Sequence, residues 1–286
     1  MIIDIHTHIF PDKIAAAAVD KLRAASHTKA FLNGTAAALR SSMRAAGIDR
    51  SVVQPVATNP RQVPKVNDAS IAMNAQGAET GVLSFGCMHP DYEDAGAEVT
   101  RLARAGVQGI KLHPVYQGVD IDDPRFLRIL EKAGESGLMV LLHAGLDVGI
   151  PGMDHASPRM ILNAVRSVGP VPMILAHMGG WRCWEAVEEL LPGRGLYIDT
   201  SFSLGNMTPS GDGYYQTEED LRRLDEGRFL RLVRAFGPDH VLFGTDSPWE
   251  DQAAEVRRIQ ALPLPDTEKE AILGGNAARL LALNPS

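Results

Sequence analysis

Cysteine is scarce: the 286 residues include only Cys87 and Cys183. No Cys-x-x-Cys pair is present, which excludes a disulfide framework and a thiolate metal cluster and fits a reducing compartment. Long apolar runs are also missing, none approaching the ~18 residues that a membrane span needs. Positive charge is outweighed. The net charge of −7 argues against nucleic acid and against an anionic membrane surface as partners, while leaving room for a small anionic substrate at a local positive site. The first residues lack a basic segment, an apolar stretch and a small-residue cleavage site, so a cytoplasmic protein is the expectation. No Gly-x-Gly-x-x-Gly follows any apolar run, which removes the dinucleotide-binding α/β sheet. What is present, 45% hydrophobic and 22% charged residues, is an ordinary globular composition. The length suits one α/β barrel domain over residues 1–286.

Eight short runs rich in Ile, Val and Leu recur: 2–5, 51–56, 82–87, 107–112, 139–142, 171–175, 196–199 and 240–243. The segments between them predict helices over 36–46, 65–80, 95–105, 124–136, 158–168, 181–191 and 218–236. Asp123 before Pro124 and glycines 47, 81, 106 and 137 mark helix boundaries. Strands alternating with helices imply a parallel sheet, and eight such units imply an α/β fold of the (β/α)8 TIM barrel class, with an open doubly wound sheet as the alternative. Three additions decorate it. Residues 9–34 form an insertion after the first strand with a helix over 14–25, residues 201–217 form a loop after the seventh, and residues 250–286 add two C-terminal helices. The first two lie at the expected mouth and are candidate lids.

Polar residues gather where the runs end. His6 and His8 close the first, and because side chains alternate along a strand the two imidazoles share a face. His89 follows the third run, Lys111 and His113 close the fourth, His143 the fifth and His177 the sixth, and Asp246 follows the eighth. Six of the nine histidines thus fall at C-terminal strand ends, where roughly one or two would arrive by chance and where barrel enzymes carry their sites. Barrel closure makes the first and eighth strands neighbours. His6, His8, His143 and Asp246 then offer three nitrogens and one carboxylate with a position left open, a catalytic coordination set rather than a structural one.

The motifs Asp4-Ile5-His6-Thr7-His8, Gly109-Ile110-Lys111-Leu112-His113-Pro114, His143-Ala144-Gly145, Leu175-Ala176-His177-Met178-Gly179-Gly180, Phe243-Gly244-Thr245-Asp246-Ser247-Pro248 and Gly275-Asn276-Ala277-Ala278-Arg279-Leu280 follow one another along the chain. In this order the chain resembles the amidohydrolase superfamily, in the branch that contains aminocarboxymuconate-semialdehyde decarboxylase and related hydrolases and decarboxylases. The resemblance spans essentially the whole chain. It implies that His6, His8, His143 and Asp246 bind a divalent metal, Zn2+ first and Mn2+ as the alternative. It also implies that Asp246 moves the proton of an activated water and that His177 is the acid/base or the carbonyl polariser. A divalent ion draws the pKa of water toward ~7.

In binuclear members a lysine on the fourth strand is carboxylated and bridges two metals. Lys111 stands at that place, and a second ion would take His143 and His177. The decarboxylase-like branch is mostly mononuclear, so one ion is favoured, with two if Lys111 is carboxylated; otherwise Lys111 and His113 face substrate. Arg182 and Arg61 are candidates to clamp a substrate carboxylate, and Asp199 is a candidate to orient His177 or another ligand from behind. The first functional expectation is a hydrolase of an amide, ester or lactone bond in a small carboxylated molecule. The second is a non-oxidative decarboxylase or hydratase on the same site, and the third a metal-binding protein without turnover. Its partner is a small-molecule substrate, with a homo-oligomer left open.

Overall fold

The structure is a computed structural model and describes residues 1–283. It is an α/β fold of parallel strands: β1 (Ile3–Thr7), β2 (Arg50–Val53), β3 (Val82–Ser84), β4 (Gly86–Cys87), β5 (Gly109–Leu112), β6 (Met139–Leu142), β7 (Met173–Leu175), β8 (Tyr197–Asp199) and β9 (Val241–Leu242). They form two parallel sheets, ordered β1-β2-β3 and β4-β5-β6-β7-β8-β9. The sheets meet at both edges. Phe85, the single residue between β3 and β4, donates its N–H to the Val53 carbonyl at 3.0 Å, and the Ile5 N–H donates to the Phe243 carbonyl at 2.9 Å. The run expected as one third strand is two short strands, because it changes partner at Phe85: Val82–Ser84 pairs with β2 and Gly86–Cys87 with β5.

The apolar residues divide into two cores. Ile3, Ile5, Val52, Phe85, Met139, Leu141, Ile174, Ala176 and Leu242 pack together in an inner cluster. The alternate strand residues, among them Val53, Ile110, Leu112, Val140, Leu142, Leu175 and Ile198, pack outward against the helices. Both faces of each strand are buried, which is why the strands read as nearly continuous apolar runs. The helices sit close to their expected places: 36–46, 95–104, 124–135 and 158–167 differ by at most a residue, and the insertion helix spans Asp12–Ser26.

Two expected helices are broken and a third is shortened. Residues 65–80 form two, Val63–Ala75 and Gly77–Thr80. The segment from Trp181 starts its helix only at Trp184, because the Trp181 N–H donates to the Ala144 carbonyl at 2.8 Å and pairs beside Gly145 in sheet fashion. Residues 218–236 form Glu218–Leu221 and Glu226–Phe236. The stretch between them pairs with the loop after β8, and Asp225 caps the second helix by accepting from the Arg228 N–H at 2.7 Å. The C-terminal additions comprise helices at Gln252–Ala261, Asp266–Glu270 and Asn276–Leu280, the last two joined by one wide π turn; residues 284–286 lie outside the described residues. No helix among the described residues is long and apolar enough to cross a membrane.

Asp4 ties the chain's two ends together. Its buried carboxylate accepts from the Thr245 N–H at 3.0 Å, the Thr245 hydroxyl at 2.6 Å and the Gln252 amide at 2.7 Å. Removing the acceptor strands these donors in the interior. Asp4→Ala is expected to lower unfolding stability by about 3 kcal/mol, read by denaturant titration; an unchanged midpoint would show that the tie carries no weight.

Candidate metal centre

The strand that opens the chain carries an irregularity just where the site begins. Between Asp4 and Thr7 β1 advances three residues while β2 advances two, Ser51 to Val53. Such an extra residue re-aims the side chains that follow it. Ile3 and Ile5 already face the inner core, and the bulge lets His6 follow them inward instead of alternating to the outer face. His6, His8 and Asp246 converge, their ligating atoms all within 4.8 Å of one another. The His8 Nε2 lies 3.0 Å and the His6 Nε2 3.6 Å from Asp246 Oδ1, and the two Nε2 atoms are 3.2 Å apart. Asp246 is held there in the left-handed backbone region, φ 62°, by its own N–H donating to the His6 carbonyl at 2.8 Å.

The partners of the other ring nitrogens assign the protons. His6 Nδ1 lies 2.9 Å from Asp199 Oδ2 and His8 Nδ1 lies 2.8 Å from the Gln54 carbonyl. A carboxylate and a carbonyl only accept, so both Nδ1 atoms carry the hydrogen and both Nε2 atoms present bare lone pairs. Two lone pairs and a carboxylate oxygen thus face one another at contact distance, an arrangement that repels itself unless a cation lies among them. Lys111 Nζ, 3.1 Å from His6 Nε2, is the cation nearest to hand. This donor set fits a divalent ion of the zinc or manganese kind.

A second trio, His113, His143 and Asp147, also brings its atoms within 4.8 Å. Its protons are disposed differently. His113 Nδ1 accepts from the Tyr116 N–H at 3.3 Å, leaving the hydrogen on Nε2, which faces Asp147 Oδ2 at 3.5 Å. His143 Nε2 lies 3.1 Å from the Leu146 carbonyl and 3.5 Å from Asp147 Oδ2, so it too is the protonated nitrogen. Within this trio the Asp147 carboxylate receives N–H groups; the lone pairs left over, on His143 Nδ1 and His177 Nε2, meet outside it. The ring planes stack, His113 on His143 at 4.0 Å and on Tyr116 at 3.9 Å. The bare Nδ1 of His143 faces His177 Nε2 at 3.2 Å, and His177 Nδ1 bonds the Ser201 carbonyl at 3.0 Å.

Burial sets the electrostatics. It pushes His6 down to about 4, reinforced by Lys111, and holds His113 and His143 well below their ordinary value. His177 is lowered too, again by burial first. All four rings are therefore neutral and ligand-competent near pH 7. Burial lowers Lys111 to about 8, against the pull of Asp199, Asp246 and Asp147, and raises Asp147 to about 6. Asp246 goes the other way: burial alone would raise it, but the imidazoles of His8, His6 and His177 beside it, each able to take up positive charge, hold it below the usual carboxylate range.

Most of the residues singled out in the sequence are gathered here. His6, His8, Asp246, Lys111, His113, His143, His177 and Asp199 form one continuous network, in which Asp199 orients His6 by its side chain and receives the His177 backbone N–H at 3.0 Å. His143 is turned toward His177, Leu146 and Asp147 rather than into the His6–His8–Asp246 trio, because Asp147 folds back beside it, pinned by the Gly149 N–H at 2.7 Å. Arg182 and Arg61 are both exposed. Arg182 spends its guanidinium on the Asp220 carbonyl at 2.7 Å, so neither arginine joins the cluster. His89 is buried beyond β4, where its Nδ1 accepts from the Asp91 N–H at 3.1 Å. Sequence reasoning missed Asp147, Ser201 and Tyr116. Only the His143-x-x-x-Asp147 spacing hinted at the first.

A parallel α/β protein whose strand ends converge on a histidine–carboxylate centre is the class that these observations define. The family model described as Amidohydrolase matches residues 3–283, and the chain belongs to that family. None of the curated proteins compared with it matches. Among solved structures it is similar to an uncharacterised TIM-barrel protein from Bordetella bronchiseptica, at 17% identity with TM-score 0.72 over 98% of both chains. It is also similar to 2,6-dihydroxybenzoate decarboxylase from Rhizobium, at 15% identity with TM-score 0.66 over 99% of both chains. A third is 5-carboxyvanillate decarboxylase from Novosphingobium aromaticivorans, complexed with manganese and 4-hydroxy-3-methoxy-5-nitrobenzoic acid, at 17% identity with TM-score 0.66, covering 99% of this chain and 96% of that one. At these identities the likeness establishes the shared fold.

The tautomer of His6 rests on Asp199. Exchanging the carboxylate for an amide in Asp199→Asn removes the obligate acceptor and is expected to weaken Zn2+ or Mn2+ binding by about 10- to 100-fold. A competition titration on protein with unchanged circular dichroism reads it; unchanged affinity would remove Asp199 from the site.

Proposed function

We propose that this chain is a metal-dependent non-oxidative decarboxylase of a small carboxylic acid, built on a single-domain (β/α)8 barrel. The observation that carries the reading is the trio of His6, His8 and Asp246 with its bare lone pairs, set beside a buried lysine in a nearly dry interior: Lys111 is 1% exposed, His177 5% and His143 6%. One divalent ion, zinc or manganese, would be held by His6 Nε2, His8 Nε2 and Asp246; His143, whose bare Nδ1 faces His177 at 3.2 Å, would have to turn to become a fourth donor. Bound there, the ion supplies Lewis acidity and positive charge for an anionic substrate.

The residues of the chain do the rest. Decarboxylation breaks the carbon–carboxylate bond, leaves its electron pair on carbon and requires a proton at that carbon, so a proton donor must lie over the reacting atom. Asp246, at the mouth and in contact with His8, and His177, with its bare Nε2, both start as proton acceptors; either would take a proton from a substrate hydroxyl or from water and return it to that carbon. Lys111 balances the substrate's charge, and its lowered pKa leaves part of it neutral near pH 8. His113, donating from Nε2, lies within the same network and faces substrate. Exclusion of water favours this chemistry, because a carboxylate stripped of its hydration is raised in energy while CO2 loses nothing. The named activities of two of the structural relatives support a decarboxylase, and aromatic acids are the first substrates to try.

Hydrolysis of an amide, ester or lactone is the second reading, favoured by the pairing of Asp246 with His177 as base and acid. Carboxylation of Lys111 would turn the site into a two-ion centre. Elemental analysis and turnover test these readings together. His6→Ala and Asp246→Ala are expected to lose bound metal and activity, whereas His177→Asn is expected to keep the metal and lose turnover by about 100-fold or more. With a panel of dihydroxybenzoates and lactones, CO2 release and its abolition by chelator support the decarboxylase. Acid release from a lactone without CO2 would replace it with the hydrolase, and equal metal in wild type and His6→Ala would overturn the site. Two metal equivalents per chain would overturn the single-ion assignment.

A further inference from the structure

Between the segments that follow β8 and β9 lies a buried guanidinium that none of the chemistry above uses. Arg223 has a fully buried side chain paired with Glu250, itself buried. Its Nη1 donates to Glu250 Oε1, and its Nη2 donates to two backbone carbonyls, Leu204 at 3.0 Å and Asn206 at 2.9 Å. The guanidinium also lies over the Phe202 ring, 4.8 Å from its centroid. Phe202 is one of the few non-glycine residues at positive φ, 49°, a conformation that persists only where its surroundings enforce it.

The two arms that Arg223 joins end on the two proton-handling residues. One arm runs from Ser201 to Asn206. Its Ser201 carbonyl receives the His177 Nδ1 hydrogen at 3.0 Å and the Ser203 hydroxyl at 2.8 Å, so the position of this arm decides which nitrogen of His177 is left bare. The other arm starts at Asp246, whose carbonyl accepts from the Trp249 N–H at 2.9 Å, and reaches Glu250 one residue later. A planar fork with several fixed donors can span a carboxylate and two carbonyls at once, whereas a lysine offers a single point of charge.

We propose that Arg223 is a positioning residue that sets the His177 tautomer and its placement relative to Asp246 by clamping the loop after β8 onto the segment after β9. The proton-handling roles of His177 and Asp246 rest on the function proposed above; the clamp itself does not. The test uses the full chain with 15N-labelled histidine. Metal-free wild type is expected to show His177 as the Nδ1–H tautomer. In Arg223→Lys, which keeps the charge beside Glu250, the clamp predicts a mixture of tautomers and a Co2+ affinity weaker by about 10-fold, with a melting temperature near that of wild type. A purely structural ion pair predicts instead that lysine restores all three.

Arg223→Met is expected to show the same loss of tautomer with lower stability. Should it fail to fold, the isosteric Glu250→Gln, which loosens the anchor and keeps every backbone hydrogen bond of the loop, is expected to mix the tautomers. An unchanged His177 signal in the folded variants, with Co2+ affinity within about threefold of wild type, overturns the proposal. Absence of Co2+ binding by wild type would count against the metal centre instead, and the tautomer in metal-free protein would still decide the role of Arg223.

Discussion

The pairing of the first strand with the last governs this molecule. Ile5 donates to the Phe243 carbonyl and Asp246 donates to the His6 carbonyl, and those bonds bring His6 and His8 against a carboxylate that is 238 residues beyond His8 in the sequence. The one-residue bulge in β1 completes the geometry by turning His6 inward. Asp4 then bonds Thr245 and Gln252 from behind. Stability and site are therefore built from the same contact, so damage to the seam between the strands reaches both.

Placing four imidazoles, a lysine and three carboxylates in a dry interior is costly unless charges are few or paired. The structure meets that condition by neutralising and fixing. Burial keeps His6, His113, His143 and His177 neutral, and a fixed partner decides which nitrogen holds the hydrogen: an acceptor-only oxygen for His6, His143 and His177, and the Tyr116 N–H donor for His113. The same wiring distinguishes the two histidine–carboxylate trios. In one, lone pairs meet and a cation is called for; in the other, Asp147 is met by N–H groups. Distance alone does not separate them.

The eight apolar runs were legible because every strand is buried on both faces, and the metal-type residues were legible because they stand at strand ends, where position along the chain determines position in space. Loops obey no such rule. Asp147 enters the network because its loop turns at Gly149, and Ser201 because the chain after β8 bends at Phe202. The single helix expected over 218–236 is interrupted because 222–225 finds a partner in 203–207 that is distant in sequence. Arg182 and Arg61 were named for the chemistry of guanidinium, yet exposure left both outside the cluster, while Arg223, which carried no motif, is the buried one.

The family, the parallel α/β plan and the identities of most groups in the centre follow from the amino-acid sequence by itself, because hydrophobic period and strand-end motifs are local properties. The tertiary structure decided which histidine faces which partner: His6 toward Asp199 and Lys111, His8 toward Gln54 and Asp246, His143 toward His177 and Asp147. Ring orientation and proton position depend on acceptors supplied by other strands and loops. No local pattern in the chain specifies those contacts; they exist only once the strands have closed on one another.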